Sequence, residues 1–275
     1  MIIVMRYPGG KSKAITLSYD DGVIQDVRLM KIMDKHGLKG TFNINSGLFP
    51  KEDAKDKGKM SRKQVLDLYT NSGHEVAVHG SMHPHYEEMY PPLVTDDVMK
   101  DRKELERMFG KIIRGMAYPF GTYNDDVVNC LKACGIAYSR TVESTEWFDI
   151  PTDWLRMPAT CHHNNPKIME LADRFIEGNR RPGDPCWLFY LWGHSYEFDN
   201  DDNWNVIEEF AQKTGNREDI WYATNIEIYD YVQAYKQLQY NIDLTKVYNP
   251  TQIDLWISHT DIGVIEIKAG ETVEL

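Results

Sequence analysis

Short apolar runs alternate with helical patterns along most of this 275-residue chain. ITLSY (15–19) opens the series, and Val23, Val27, Met30 and Met33 follow at three- and four-residue steps up to Gly37. TFNIN (41–45) comes next, and Ser61-Arg62-Lys63-Gln64 reads as a capping box that opens a helix through Tyr69. HEVAVHG (74–80) precedes a charged helix from Thr95 to Phe109. IIRGMAYPFG (112–121) precedes a helix from Asn124 to Cys134. IAYSRT (136–141) and LRMPAT (155–160) flank a long loop, VESTEWFDIPTDW. Ile168, Leu171, Ala172, Phe175 and Ile176 then mark one face of a helix. WLFYLWGH (187–194) is almost continuously apolar, as a strand buried on both faces must be. Trp204, Ile207, Phe210 and Ala211 mark a further helix, followed by IWYAT (220–224) and a helix near Ile226–Leu238. Roughly seven or eight strand–helix units in about 240 residues predict a parallel-strand α/β fold, and their number favours a barrel over an open sheet.

The last stretch breaks this rhythm. QIDLWIS and VIEIKAG alternate at period two and predict a β-hairpin appendage. The expected division is therefore 1–240 for the barrel and 241–275 for the appendage, which packs either on the barrel or on a second subunit. Whether the chain forms oligomers stays open.

Composition narrows the function. There are 42 acidic residues against 31 basic ones, a net charge of −11, which argues against nucleic acid or an anionic membrane as the main partner. The opening MIIVMRYPGGKSK has only a short apolar patch and no secretory pattern, and no segment approaches ~18 apolar residues. The expectation is a cytoplasmic protein. Cys130, Cys134, Cys161 and Cys186 form no CxxC pair and read as buried small hydrophobes. The run KEDAKDKGK (51–59) reads as a solvated loop.

In a barrel of this kind, chemistry gathers at the carboxyl ends of the strands. The first strand ends in Asp20-Asp21 and the third in His79-Gly80-Ser81-Met82-His83-Pro84-His85. The sixth ends in Cys161-His162-His163 and the seventh in His194. Two histidines and one carboxylate make a standard catalytic zinc set with a position left for water. A cation also explains the adjacent carboxylates, because it offsets their repulsion. One of the pair binds the metal, while the other stays ionised as a general base. His194, across the mouth, is placed to protonate a leaving group. Together these groups describe hydrolysis of an acyl bond.

At these residues the chain resembles the NodB-homology polysaccharide deacetylases, a carbohydrate esterase family. SYDDG (18–22) is similar to their Thr-Phe-Asp-Asp-Gly motif, His79-Gly-Ser-Met-His83 to their His-Ser/Thr-x-x-His motif, AYPFG (117–121) to the third motif, and YLWGH (190–194) to the last. The resemblance runs from about residue 14 to about residue 195. It implies a distorted (β/α) barrel of about seven strands. It implies Asp20 as base and His194 as acid. It assigns Asp21, His79 and His83 to zinc or another divalent metal such as cobalt, nickel or manganese. It puts Tyr118, Pro119 and Phe120 in the loop that meets the acyl carbonyl. The chain departs from the pattern at four places. Gly80 replaces Ser/Thr, Ala117 stands where an arginine usually pairs with the base, Asp149-Ile-Pro-Thr-Asp153-Trp154 only loosely echoes an Asp-x-x-Asp-Trp motif, and Gly193 is less apolar than usual. Arg140 is the candidate to replace the missing arginine.

Other residues have plainer readings. His85 reads as a loop histidine. One of His162 and His163 lines the cleft, with His163 the candidate. Trp192, Tyr196 and Trp204 either form a sugar-stacking wall or pack in the core, and Trp204 favours the core because it lies on an apolar stripe. Three functions compete: removal of N-acetyl groups from an amino sugar or glycan, hydrolysis of a small linear or cyclic amide, and carbohydrate binding without catalysis. The intact set of Asp20, Asp21, His79, His83 and His194 argues against the third, since a binder needs no base.

Overall fold

A computed structural model describes residues 2–51 and 58–275. Residues 52–57, most of the charged KEDAKDKGK run, lie outside the described residues. The chain begins with β1 (Ile3–Arg6), then β2 (Lys13–Asp20), α1 (Asp26–Lys35), β3 (Gly40–Ile44), α2 (Arg62–Tyr69) and β4 (Glu75–Val78). It continues through α3 (Pro91–Phe109), β5 (Gly115–Ala117), α4 (Asp125–Ala133), β6 (Tyr138–Ser144), β7 (Met157–Ala159) and β8 (Cys161–His162). The barrel part closes with α5 (Ile168–Glu177), β9 (Trp187–Gly193), α6 (Glu197–Asn200), α7 (Trp204–Thr214), β10 (Ile220–Tyr222) and α8 (Asn225–Tyr235).

The strands pair in parallel in the order β7-β6-β5-β4-β3-β2-β9-β8, with β10 added beside β2. This is the distorted barrel expected from the alternating pattern. The ring closes through the chain itself. β7 pairs with β6 and, one residue later, β8 pairs with β9. Thr160 makes the crossing, and its N–H donates to the Tyr190 carbonyl at 2.8 Å. β2 is the axis of the site: all eight of its residues are buried, and it pairs with β3 and β9. The capping box holds as read, with Ser61 Oγ accepting from the Gln64 N–H and the Gln64 side chain accepting from the Ser61 N–H. The four cysteines are free and buried. No helix among the described residues is long and apolar enough to cross a membrane.

The C-terminal hairpin exists as β13 (Leu255–His259) and β14 (Gly263–Ile267), once β11 (Gln239–Tyr240) and β12 (Lys246–Tyr248) have been passed. It is joined by β1 from the other end of the chain. A second small sheet is made of β11, β12 and β15 (Thr272–Glu274). The two small sheets thus draw on residues on both sides of position 240. Val247, Ile257 and Ile267 fill the space between them. Tyr231 on α8 ties these sheets to the barrel: it donates its hydroxyl to the Arg6 carbonyl and accepts from the Trp256 N–H.

Candidate active site

The site is built outward from the end of β2. Asp20 is buried, and both of its oxygens are occupied. Oδ1 accepts from Asn43 Nδ2 on β3 at 2.8 Å, and Oδ2 accepts from the Arg140 guanidinium on β6. His79 Nε2 and His194 Nε2 lie 3.7 and 3.8 Å from the same Oδ2. Burial alone would raise the Asp20 pKa, but Arg140, His79, His194 and the Asn43 hydrogen bond outweigh it and lower it. The carboxyl is therefore ionised at neutral pH.

Asp21 leaves the strand with φ 83°, which turns its side chain off the ladder toward the rim. Its oxygen, His79 and His83 offer three ligand atoms within 4.8 Å of one another. Lys59 Nζ lies 3.3 Å from Asp21 Oδ1 and donates to Asn45 Oδ1 at 2.8 Å. His79 Nδ1 faces the Ala117 carbonyl at 2.9 Å. A carbonyl only accepts, so the proton sits on Nδ1, and Nε2 is left as a lone pair facing the rim. Burial lowers the His79 pKa, and burial with the neighbouring His79 pushes His83 down to about 4, so both rings are neutral donors. The donor set fits a divalent transition metal.

Two buried carboxylates on α3 hold this loop. Asp101 accepts from the Ser46 and His79 N–H groups, and Asp97 from the Ser81 and Met82 N–H groups and the Tyr86 hydroxyl. Gly80 is explained by geometry: it has φ +74°, and a Cβ there would lie 2.7 Å from the Tyr86 hydroxyl.

The acid side has a different build. His194 Nδ1 lies 3.2 Å from Glu197 Oε1, so Nε2 turns toward Asp20. Burial lowers the His194 pKa, but Glu197 and Asp20 outweigh it and raise it. Glu197 Oε2 in turn lies 3.1 Å from both His162 Nε2 and His163 Nε2. Burial would raise the Glu197 pKa, but these three histidines hold it well below the ordinary carboxylate range. Asp153 is not the partner of His194, because it caps the Leu155 N–H and pairs with Arg156.

Several residues sit elsewhere than expected. Tyr118 does not line the cleft: its N–H donates to the Arg140 carbonyl, its hydroxyl donates to the Leu155 carbonyl, and its ring is buried. Pro119 is also buried, whereas Phe120 is 51% exposed, stacked on His85 and 4.3 Å from the His83 ring centre. His163 is fully buried between Tyr19 and Phe198 and cannot face a substrate, and His162 is the partly exposed member of that pair. Arg140 is buried against the base rather than placed in the cleft, with its guanidinium over the Trp192 ring at 4.2 Å. Trp192 and Trp204 are core residues. Sequence reasoning missed Glu197, Asp97, Asp101 and Asn43. The signals were faint: a carboxylate three residues after His194, and two acids on the apolar stripe of Val94, Val98 and Leu105.

Residues 8–139 match the family model described as polysaccharide deacetylase. They contain Asp20, Asp21, His79 and His83, and stop short of Arg140, His162, His163, His194 and Glu197. Among solved structures, the chain is similar to a putative polysaccharide deacetylase from Mycobacterium smegmatis. The identity is 16%, 85% of this chain and 94% of that one are covered, and the TM-score is 0.59. It is also similar to a family 4 acetyl xylan esterase from Clostridium thermocellum in complex with a cobalt ion, with 15% identity, 79% and 91% covered, and a TM-score of 0.50. A Streptococcus pyogenes deacetylase in complex with acetate matches at 21% identity over 51% of this chain and 62% of that one, with a TM-score of 0.46. No curated protein matches the chain.

Proposed function

We propose that this chain is a metal-dependent deacetylase that removes N-acetyl, or related acyl, groups from an amino sugar or glycan. The observation that carries the reading is the position of Asp20 Oδ2. It lies 3.7 Å from a histidine of the metal-ligating cluster and 3.8 Å from the histidine across the mouth. Asp21, His79 and His83 would hold the divalent cation; zinc fits these donors, and the Clostridium thermocellum esterase is described with cobalt. Such a cation polarises a carbonyl and makes water a better nucleophile near neutral pH.

The chain's own residues do the rest. Asn43 and Arg140 fix the Asp20 carboxylate, ionised, where it takes a proton from the attacking water. His194, its pKa raised by Glu197 and Asp20, gives a proton to the leaving nitrogen. The C–N bond breaks, the water oxygen stays on the acyl carbon, and acetate and a free amine leave. Phe120, held exposed beside His83, offers a flat face to a sugar ring. The test is zinc content together with acetate release from N-acetylated chitooligosaccharides, for the wild type and Asp20→Asn. Stoichiometric zinc in both proteins, with acetate release only in the wild type, is expected. Zinc without acetate release would shift the reading to small amides. No zinc even when supplied would leave a barrel that only binds.

A further inference from the structure

We propose that His162 and His163 are positioning residues for His194: they pin one oxygen of Glu197, so that its other oxygen holds the His194 ring with Nε2 turned toward Asp20. The inference rests on the reading of His194 as the acid.

Glu197 follows His194 by three residues, on the short helix α6. A lone carboxylate there would rotate freely. Here Oε2 meets His162 Nε2 and His163 Nε2 at 3.1 Å each and the His194 N–H at 3.3 Å, which leaves Oε1 for His194 Nδ1. Protonation sites follow from the neighbours. The Asn164 N–H points at His162 Nδ1 at 3.2 Å, so that nitrogen must accept, and the proton lies on Nε2, facing Glu197. His163 is fully buried, and neither of its ring nitrogens makes a well-aligned hydrogen bond among the described residues. Its Nε2 lies 3.1 Å from Glu197 Oε2, so a proton on Nε2 faces a carboxylate, and that is the side where it belongs.

The ring of His163 is held as a part of the core. Tyr19 stacks on it at 5.8 Å and Phe198 at 4.1 Å. The third wall is Gly193, where a Cβ would lie 2.0 Å from His163 Nδ1. This accounts for the glycine before His194: the strand gives up a side chain there so that a histidine can reach Glu197. The departures at Gly193 and at the Asp149–Trp154 segment are then one change, in which the carboxylate that serves His194 comes from α6.

His162, His163 and Glu197 are also spaced for a metal. The tautomers argue against it, because both Nε2 atoms carry protons toward Glu197 rather than lone pairs toward a cation.

The test compares two substrates. A leaving amine must be protonated, whereas 4-nitrophenolate departs without a proton. Glu197→Gln and His163→Ala are measured on N-acetylated chitooligosaccharides and on 4-nitrophenyl acetate, with zinc content alongside. The expected result is a fall of roughly 100-fold in kcat on the amide, with KM within about 3-fold and a fall of under about 10-fold on the ester. Zinc stays at one per chain. The titratable groups facing His194 are Asp20, Asp21, Glu197, His162, His163 and Tyr196. Nitrogen-15 NMR of the His194 ring reads the tautomer without any substrate. At a pH above the His194 pKa, where the ring is neutral, the proton is expected on Nδ1 in the wild type, with a mixture in both variants. Equal falls on both substrates, an unchanged tautomer, or a wild type with a second zinc that His163→Ala removes would each overturn the proposal. If the wild type hydrolyses neither substrate, the deacetylase reading fails by itself, and the tautomer still decides the positioning claim.

Discussion

Two clusters of the same composition face each other across the barrel mouth. Asp21, His79 and His83 lie on the side of β2 and β4, and Glu197, His162 and His163 on the side of β8 and β9. Each has two histidines and one carboxylate within the same span. They differ in what holds the far nitrogen of a ring. His79 Nδ1 faces a carbonyl, which takes a proton and leaves Nε2 as a lone pair. His162 Nδ1 faces an N–H, which leaves Nε2 as a donor. One backbone partner thus separates a site for a cation from a clamp on a carboxylate. Burial adds to the contrast. Asp21 is partly open at the rim, whereas His163 is sealed between aromatic rings.

The largest expected break in this comparison is on the metal side. His79→Ala should abolish zinc retention and acetate release together, while His162→Ala keeps one zinc per chain, as read by metal analysis after gel filtration. Next comes Glu197→Gln. His194 must be protonated to act, and Glu197 raises its pKa. The contribution of His194 is therefore complete below that pKa and lost as pH rises through it. Removing the carboxylate's charge lowers the pKa, so the descending limb of the kcat profile should move to lower pH, and an unmoved limb would detach Glu197 from His194.

A smaller effect is expected at Asp101, which touches no ligand atom but holds the backbone N–H of His79. Asp101→Asn should weaken zinc binding by about 10- to 100-fold, in the manner of outer-shell partners, as measured by competition with a chromophoric chelator. The smallest effect is on stability. Gly193→Ala should cost about 1–3 kcal/mol by overpacking against His163. Combined with His163→Ala it should cost less than the two single changes added together, because one ring causes the conflict. Denaturant unfolding of the four proteins closes that cycle.

The sequence made the metal half far more legible than the acid half, for physical reasons. Asp20, Asp21, His79 and His83 lie at or just beyond the ends of β2 and β4, the two strands that flank β3, so apolar runs and spacing alone bring them to one rim. Arg140 was readable as the partner of Asp20 because the IAYSRT run puts it near a strand end, although β6 continues past it to Ser144. Glu197 was not, because its role depends on how the chain turns after β9 and on three rings from two other segments. His163 stands beside His162 in sequence, yet the crossing from β6 to β9 at Thr160 and the gap at Gly193 place it in the core instead of the cleft. Tyr118 misled for a related reason: a three-residue strand β5 spends the Tyr118 N–H on the ladder with β6. In the fold, the alternating units showed the barrel, but the joining of β1 to the C-terminal hairpin pairs residues 250 or more positions apart, beyond any local pattern.

The most direct measurement is a crystal structure of the zinc-loaded protein with anomalous data collected at the zinc edge. The account predicts one peak, bound by Asp21, His79 and His83, with Glu197 still in contact with His162, His163 and His194. A peak between His162, His163 and Glu197, or no peak among Asp21, His79 and His83, would contradict it.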